Sequence, residues 1–204
     1  DLKAAELLFD AAIPSAIAMQ ERAGIDVISD GEWRRESYIK VIAEHVDGFK
    51  SGLVRSLKHV VDDPAVVGPI KRREDLTTEA ASFLLSNTSH SAIVTLPSPY
   101  ILGWRMWKED VSGDAYATRE EFMLACAEIL RVEIYSLRTA GINHIQIDEP
   151  RLLLLVDPGH RERVGIIDID YEIETCTKMI NEVGKDAGDI ETSVHMCHAH
   201  FARE

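Results

Sequence analysis

Ser193-Val194-His195-Met196-Cys197 lies near the end of this 204-residue chain and points to its architecture. On an extended strand, residues two apart project from one face. His195 and Cys197 therefore point the same way and offer an imidazole and a thiolate to one metal ion. Mixed nitrogen and sulfur ligands favour zinc in a tetrahedral site. A strand that delivers two ligands from its C-terminal end predicts a catalytic zinc in an α/β barrel rather than a zinc finger. The pair is a weak signal alone, and its weight comes from the segments upstream.

Those segments alternate between helix and strand. Residues 2–23 read as helix, with Pro14 expected to kink it or to start a second one. A short apolar strand over 25–29 runs into Asp30-Gly31-Glu32. Helix is expected over 36–46, a brief strand over 65–67, and helix over 73–86. A strand at 92–96 meets Pro97-Ser98-Pro99. Thr118 and Glu121 form a capping-box pattern. Phe122, Cys126, Ile129, Leu130 and Leu137 then repeat at helical spacing as far as Gly141. A strand at 144–147 ends in Asp148-Glu149-Pro150, a helix covers 171–183, and 191–197 is the last strand. This rhythm predicts a parallel sheet with helical crossovers in one domain over 1–204. Polar clusters at several strand C-termini favour a closed (β/α)8 barrel over an open sheet. No Gly-x-Gly-x-x-Gly follows the first strand.

Composition narrows the function classes. A net charge of -13 argues against a generic nucleic-acid binder, which would carry a basic face. No apolar run is long enough to span a bilayer. No signal peptide is visible, which predicts a cytoplasmic protein. Three cysteines do not make a disulfide framework. Cys126 and Cys176 fall in apolar helical patterns and read as buried small hydrophobes. Cys197 sits instead among His195, His198 and His200. The chain opens on Asp1 and stops at Glu204, just past its best motif, so it is expected to be a piece of a larger protein.

Three strand ends carry the candidate chemistry. Asp30 and Glu32 face one way if their strand continues through them, Asp148 and Glu149 close another strand, and His195 and Cys197 close the last. In a barrel these ends converge over one mouth. Structural readings stand beside the functional ones. Asp-Gly is a common turn. Asp148-Glu149-Pro150 can cap the next segment. Arg34, Arg35 and Arg151 can pair with these acids as solvated surface ions of little energetic worth. Trp104 and Trp107, with Tyr100, either fill the core or stack a planar ligand. His198 and His200 are either spare ligands or exposed loop residues.

Taken in order, Asp-Gly-Glu-Trp-Arg-Arg at 30–35, Ile-Gln-Ile-Asp-Glu-Pro at 145–150 and His-Met-Cys at 195–197 resemble the catalytic barrel of cobalamin-independent methionine synthase. Pro97-Ser98-Pro99 looks more like its shorter, single-barrel relatives. The resemblance runs over about 2–201 and implies a (β/α)8 TIM barrel, seen here without its first and last strands. It implies methyl transfer from a methylated folate to the sulfur of homocysteine. His195 and Cys197 match the first two zinc ligands, Glu32 a glutamate that contacts homocysteine, and Asp148 an aspartate that holds its amino group. Trp104 falls near a tryptophan of the folate pocket. The remaining zinc ligands, a glutamate and a cysteine, and the proton-donating histidine are expected beyond Glu204.

Two departures concern the methyl donor. His59-Val60 stands where the full-length enzymes carry Arg-Cys, and Leu154 stands where they carry a glutamate. Both leave room for another donor, such as a methylated corrinoid or a simple methyl-sulfur compound. Three further readings remain: zinc-dependent alkyl transfer to another thiol such as coenzyme M, a metal-free decarboxylase that has no use for His195 and Cys197, and a non-catalytic barrel fragment.

Overall fold

The structure, a computed structural model, describes residues 2–52, 63–185 and 187–197. His59 and Val60, and the candidate ligands His198 and His200, lie outside the described residues.

In chain order the elements are α1 (Leu2–Arg22), β1 (Val27–Ile28), α2 (Val41–His45), β2 (Val46–Lys50), β3 (Ala65–Arg72), α3 (Thr78–Ser86) and β4 (Ser91–Pro97). They continue with α4 (Pro99–Met106), α5 (Glu109–Ser112), α6 (Arg119–Ala140), β5 (His144–Asp148), α7 (Arg151–Leu154), α8 (Pro158–Val164), α9 (Ile169–Gly184) and β6 (Glu191–His195). Strands β1, β4, β5 and β6 form a parallel sheet in that order. With helices crossing between them, they make part of a (β/α)8 barrel.

The sheet is built from alternating side chains. Ala92, Val94 and Leu96 on β4 and Ile145 and Ile147 on β5 are buried, and they join one core with Ile129, Leu130, Ile134 and Leu137 of α6. Helix α6 starts as its sequence prescribes: Thr118 Oγ1 accepts from the Glu121 amide at 3.2 Å, and Glu121 reaches back to the Ala117 amide at 2.9 Å. Such a cap is worth about 1 kcal/mol. Gly141 ends the helix at φ 107°, a left-handed conformation that a side chain would strain. Cys126 and Cys176 are both buried, as expected.

Several boundaries differ from expectation. Helix α1 is one element through Pro14, whose flanks are pinned by the buried Ile13 and Ile17. The strand expected at 65–67 is eight residues long and does not enter the parallel sheet. It pairs antiparallel with β2, which went unread, and β1 pairs directly with β4. Gly48 permits the hairpin's close approach, since a Cβ there would lie 2.8 Å from the Gly68 carbonyl oxygen. The described barrel portion therefore has four strands, not five. The helix expected from 73 begins at Thr78. Its preceding turn is fixed by Glu133, a fully buried carboxylate that accepts from the amides of Leu76 and Thr77 at 2.8 and 2.7 Å and from Arg72 at 3.0 Å.

Candidate active site

The first strand stops at Ile28, so Asp30 and Glu32 do not share a strand face as expected. The chain turns instead. Ser29 Oγ accepts from the Gly31 amide at 2.9 Å, and Asp30 Oδ1 accepts from the Glu32 amide at 3.0 Å. Gly31 and Glu32 both take positive φ, 72° and 59°. For glutamate this conformation is uncommon and is found where the surroundings hold it in place. Asp30 thus belongs to the turn, and the turn aims Glu32 inward. Glu32 Oε1 accepts from Thr95 Oγ1 of β4 at 2.7 Å. Its other oxygen pairs with Arg35 at 3.3 Å.

Arg35 is not the solvated surface ion its sequence context suggested. Its side chain is 8% exposed, and Nη1 also donates to the Thr95 carbonyl at 2.9 Å. Arg34 turns away, pairs with Asp10 and lies over the Phe83 ring. Two adjacent arginines therefore have opposite fates, one bracing the site and one bracing α1 against α3.

The strand ends of β4, β5 and β6 are locked together. Pro97 is in register with Asp148, and Asp148 with His195. Beyond the ladder, the Ser98 amide donates to the Asp148 carbonyl at 3.0 Å, and the Glu149 amide to the His195 carbonyl at 2.9 Å. Glu149 is fully buried. Its carboxylate accepts from the Ser98 hydroxyl and from the Arg151 amide, the latter at 2.8 Å. Ser98 Oγ in turn accepts from the Ile101 amide at 3.1 Å and starts α4, with Pro99 in the first turn. Sequence reasoning took Pro97-Ser98-Pro99 as a strand end only; the Ser-Pro start signal was present.

Asp148 accepts from Gln146 Nε2 at 2.9 Å. Burial raises its pKa above the ordinary carboxylate range and the Glu32 charge adds to this, while the Gln146 hydrogen bond, His195 and Arg35 pull the other way. Glu32, Asp148, Arg35 and His195 therefore occupy one electrostatic neighbourhood. Tyr38, missed at the sequence level, joins it: burial pushes its phenol up to about 12, with further influence from Arg105, Glu149, Asp148 and Cys197. A hydroxyl that stays protonated can only donate or accept a hydrogen bond at neutral pH.

His195 is the last residue of β6, and Cys197 lies two residues on, past the ladder. His195 is exposed and Cys197 half-buried. Imidazole and thiol at one strand end suit zinc chemically. No group of three or more potential metal ligands occurs among the described residues.

Trp104 stands to the side. Its ring meets Tyr100 edge-on at 6.4 Å, with the guanidinium carbons of Arg151 and Arg119 at 4.1 and 4.3 Å from its centroid. Tyr100 is fully buried and Trp107 donates to the Tyr116 carbonyl at 3.0 Å, so both serve the core. A cavity of about 1020 Å³ lies elsewhere, against Phe9, Asp10, Thr78 and Phe83. Neither Glu32, Asp148 nor His195 lines it. No helix among the described residues is long and apolar enough to cross a membrane.

Residues 1–204 match the family described as "Cobalamin-independent synthase, Catalytic domain". The chain is 36% identical over 194 residues to a 5-methyltetrahydropteroyltriglutamate–homocysteine methyltransferase of Photorhabdus laumondii, and 35% identical over 199 residues to one of Cronobacter sakazakii. Each match covers 93% of this chain and 24% of the relative, so the chain spans about a quarter of their length. Among solved structures, it resembles a B12-independent methionine synthase from Shewanella sp. W3-18-1 in complex with selenomethionine, at a TM-score of 0.71 and 28% identity over 93% of this chain and 51% of that one. It shares its fold with a vitamin-B12 independent methionine synthase from Listeria monocytogenes, at a TM-score of 0.73 and 24% identity over 94% and 55%.

Proposed function

Because the chain belongs to the family of cobalamin-independent synthase catalytic domains, we propose that it carries the acceptor side of a methyl transfer to the thiol of homocysteine. The observation that carries this reading is that the turn after β1 sets Glu32 against Thr95 of β4, next to the paired ends of β5 and β6 that bear Asp148 and His195. The Glu32 charge raises the electrostatic cost of ionised Asp148. An ammonium group shared by them offsets that cost, which suits an amino-acid substrate.

His195 and Cys197 would hold zinc. When bound, zinc supplies the Lewis acidity that keeps a thiol deprotonated and nucleophilic near neutral pH. The residues of this chain do the positioning. Asp148 and Glu32 hold the ammonium end of homocysteine, and the backbone bond from Glu149 fixes the strand end that carries His195. In the transfer, a sulfur–carbon bond forms to the methyl group while its bond to the donor breaks, and the donor's leaving atom takes up a proton. Trp104 is assigned to the donor side. A methylated folate is the donor favoured by the names of the relatives.

The test uses the intact protein, wild type against Cys197→Ser. We expect about one zinc per chain in the wild type, lost or greatly weakened in the variant. With zinc present, homocysteine should be methylated from a panel of methylated folate, corrinoid and methyl-sulfur donors, in preference to coenzyme M. Preference for coenzyme M would transfer the reading to another thiol. Absence of zinc from folded wild type would remove it.

A further inference from the structure

A buried arginine beside the mouth has unmet hydrogen-bonding capacity. Arg151 follows β5 directly and opens α7. Its Nε and Nη2 are sealed from solvent and have no hydrogen-bond partner among the described residues. The neighbouring cations are already matched: Arg105 pairs with Asp63, and Arg119 pairs with Glu172 at 2.6 Å. Glu149 lies within the field of Arg151, yet its oxygens take the Ser98 hydroxyl and the Arg151 amide rather than the guanidinium. Trp104 Nε1 is likewise buried and turned to the Tyr100 hydroxyl. The unpartnered atoms of Arg151 are both donors. What is missing is therefore an acceptor.

The identity of the atoms sharpens this. Nε and Nη2 form one edge of a guanidinium, the edge whose two parallel N–H groups match two oxygens of a carboxylate or phosphate. Stacking on Trp104 leaves this edge unsatisfied, because a cation over a ring still needs in-plane acceptors. The side chain has no guanidinium hydrogen bond to break on leaving that stack. Beside the Trp104 ring, and not lined by Arg151 itself, a cavity of about 330 Å³ is bounded by Trp107, Lys108 and Arg119 together with the acidic Glu109 and Asp110. Lys108 Nζ donates to the Trp104 carbonyl at 3.2 Å and retains further protons. Burial favours its neutral form and Arg105 and Arg151 add to this, while Asp63 and Asp110 oppose it.

We propose that Arg151, with Lys108 across the Trp104 edge, is an oxyanion subsite that takes a carboxylate or phosphate group of a small molecule entering beside the barrel mouth. The subsite shares Trp104 with the proposed donor side and does not depend on which thiol the mouth methylates.

The experiment titrates the intact protein with inorganic phosphate and, separately, with glutarate, following tryptophan fluorescence and calorimetric heat against chloride at matched ionic strength. We expect saturable binding of at least one probe in the wild type, weakened by about tenfold or more in Arg151→Met and less in Arg151→Lys, which keeps the charge but loses the fork. Phosphate alone, glutarate alone or both would each support the subsite and would identify its oxyanion. Because the Arg151 guanidinium breaks no hydrogen bond among the described residues and Met can still pack on the Trp104 ring, Arg151→Met should fold. If it does not, Lys108→Met must weaken binding at least threefold, by loss of one charge-assisted contact. No saturable binding to the wild type overturns the proposal, as does equal binding by wild type and Arg151→Met, or by Lys108→Met where that variant decides.

Discussion

The amide of Glu149 donates to the carbonyl of His195 at 2.9 Å, across the seam where β5 and β6 end. That bond ties the residue after Asp148 to the backbone of a candidate zinc ligand. The buried Glu149 carboxylate holds the arrangement from the other side, through Ser98 and the Arg151 amide. Glu149→Ala leaves these groups without an acceptor in a sealed site. It is expected to lower stability by about 2–4 kcal/mol, and to weaken zinc binding by loosening the strand end that carries His195, although the backbone bond from residue 149 to His195 remains. Glu149→Gln keeps an acceptor and should lose less of both. Urea unfolding and zinc titration would measure the two effects, and unchanged zinc affinity in a folded Glu149→Ala protein would deny the positioning role.

Asp148 predicts a pH dependence with a definite sign. Burial, followed by the Glu32 charge, raises its pKa above the unfolded value. The folded state then binds the proton more tightly than the unfolded state. The cost of the ionised form is absent below the unfolded value, grows as pH rises through the window, and is complete above the folded value. Asp148→Asn removes it. In metal-free buffer the variant should be more stable than wild type at neutral pH, with the advantage vanishing below the ordinary carboxylate range, while homocysteine binding is lost. Equal stability differences at acid and neutral pH in urea melts would contradict this.

The sequence carried these two sites unequally, for physical reasons. Strand alternation at 92–96 and 144–147 and the Thr118–Glu121 cap are local signals, and they located β4, β5 and α6. Local signals also placed Glu32 and Asp148 at element ends. They could not show that Glu32 gets there by a left-handed turn, because the Arg35 and Thr95 contacts that hold it come from 3 and 63 residues away. The β2–β3 hairpin was invisible for the same reason: its pairing spans Val46 to Arg72, and Gly48 reads only as a loop glycine until Gly68 is brought against it. Arg151 read as a surface ion because burial of its guanidinium depends on Trp104, from the preceding crossover.

Glu133 carries no local signal that sets it apart in the sequence, yet it should dominate local stability. It is wholly buried and accepts from Arg72, from the Leu76 and Thr77 amides, and from the Thr77 hydroxyl at 2.9 Å. Glu133→Ala is expected to lose about 3–5 kcal/mol, the cost of breaking a buried ionic network on one side. Thr77→Ala removes one of the several bonds and should lose only about 1 kcal/mol. Thermal or urea unfolding would order the two variants, and comparable losses would show that the carboxylate does not act as the common acceptor.

Glu32 separates binding from folding. Its carboxylate is partly exposed and is held by Thr95 and Arg35 at the mouth rather than in the core. Glu32→Gln keeps an oxygen for Thr95 Oγ1 and the shape of the turn, but removes the charge available to an ammonium group. Its stability should stay within about 1 kcal/mol of wild type, as for other partly exposed ion pairs. The loss should fall on the acceptor substrate: homocysteine affinity drops by about tenfold or more, the effect of one charge-assisted bond. A thiol of similar length without an amino group should bind wild type and variant alike. Calorimetric titration with both thiols reads this directly. An equal fall for both would mean that Glu32 shapes the mouth and does not recognise the ammonium group.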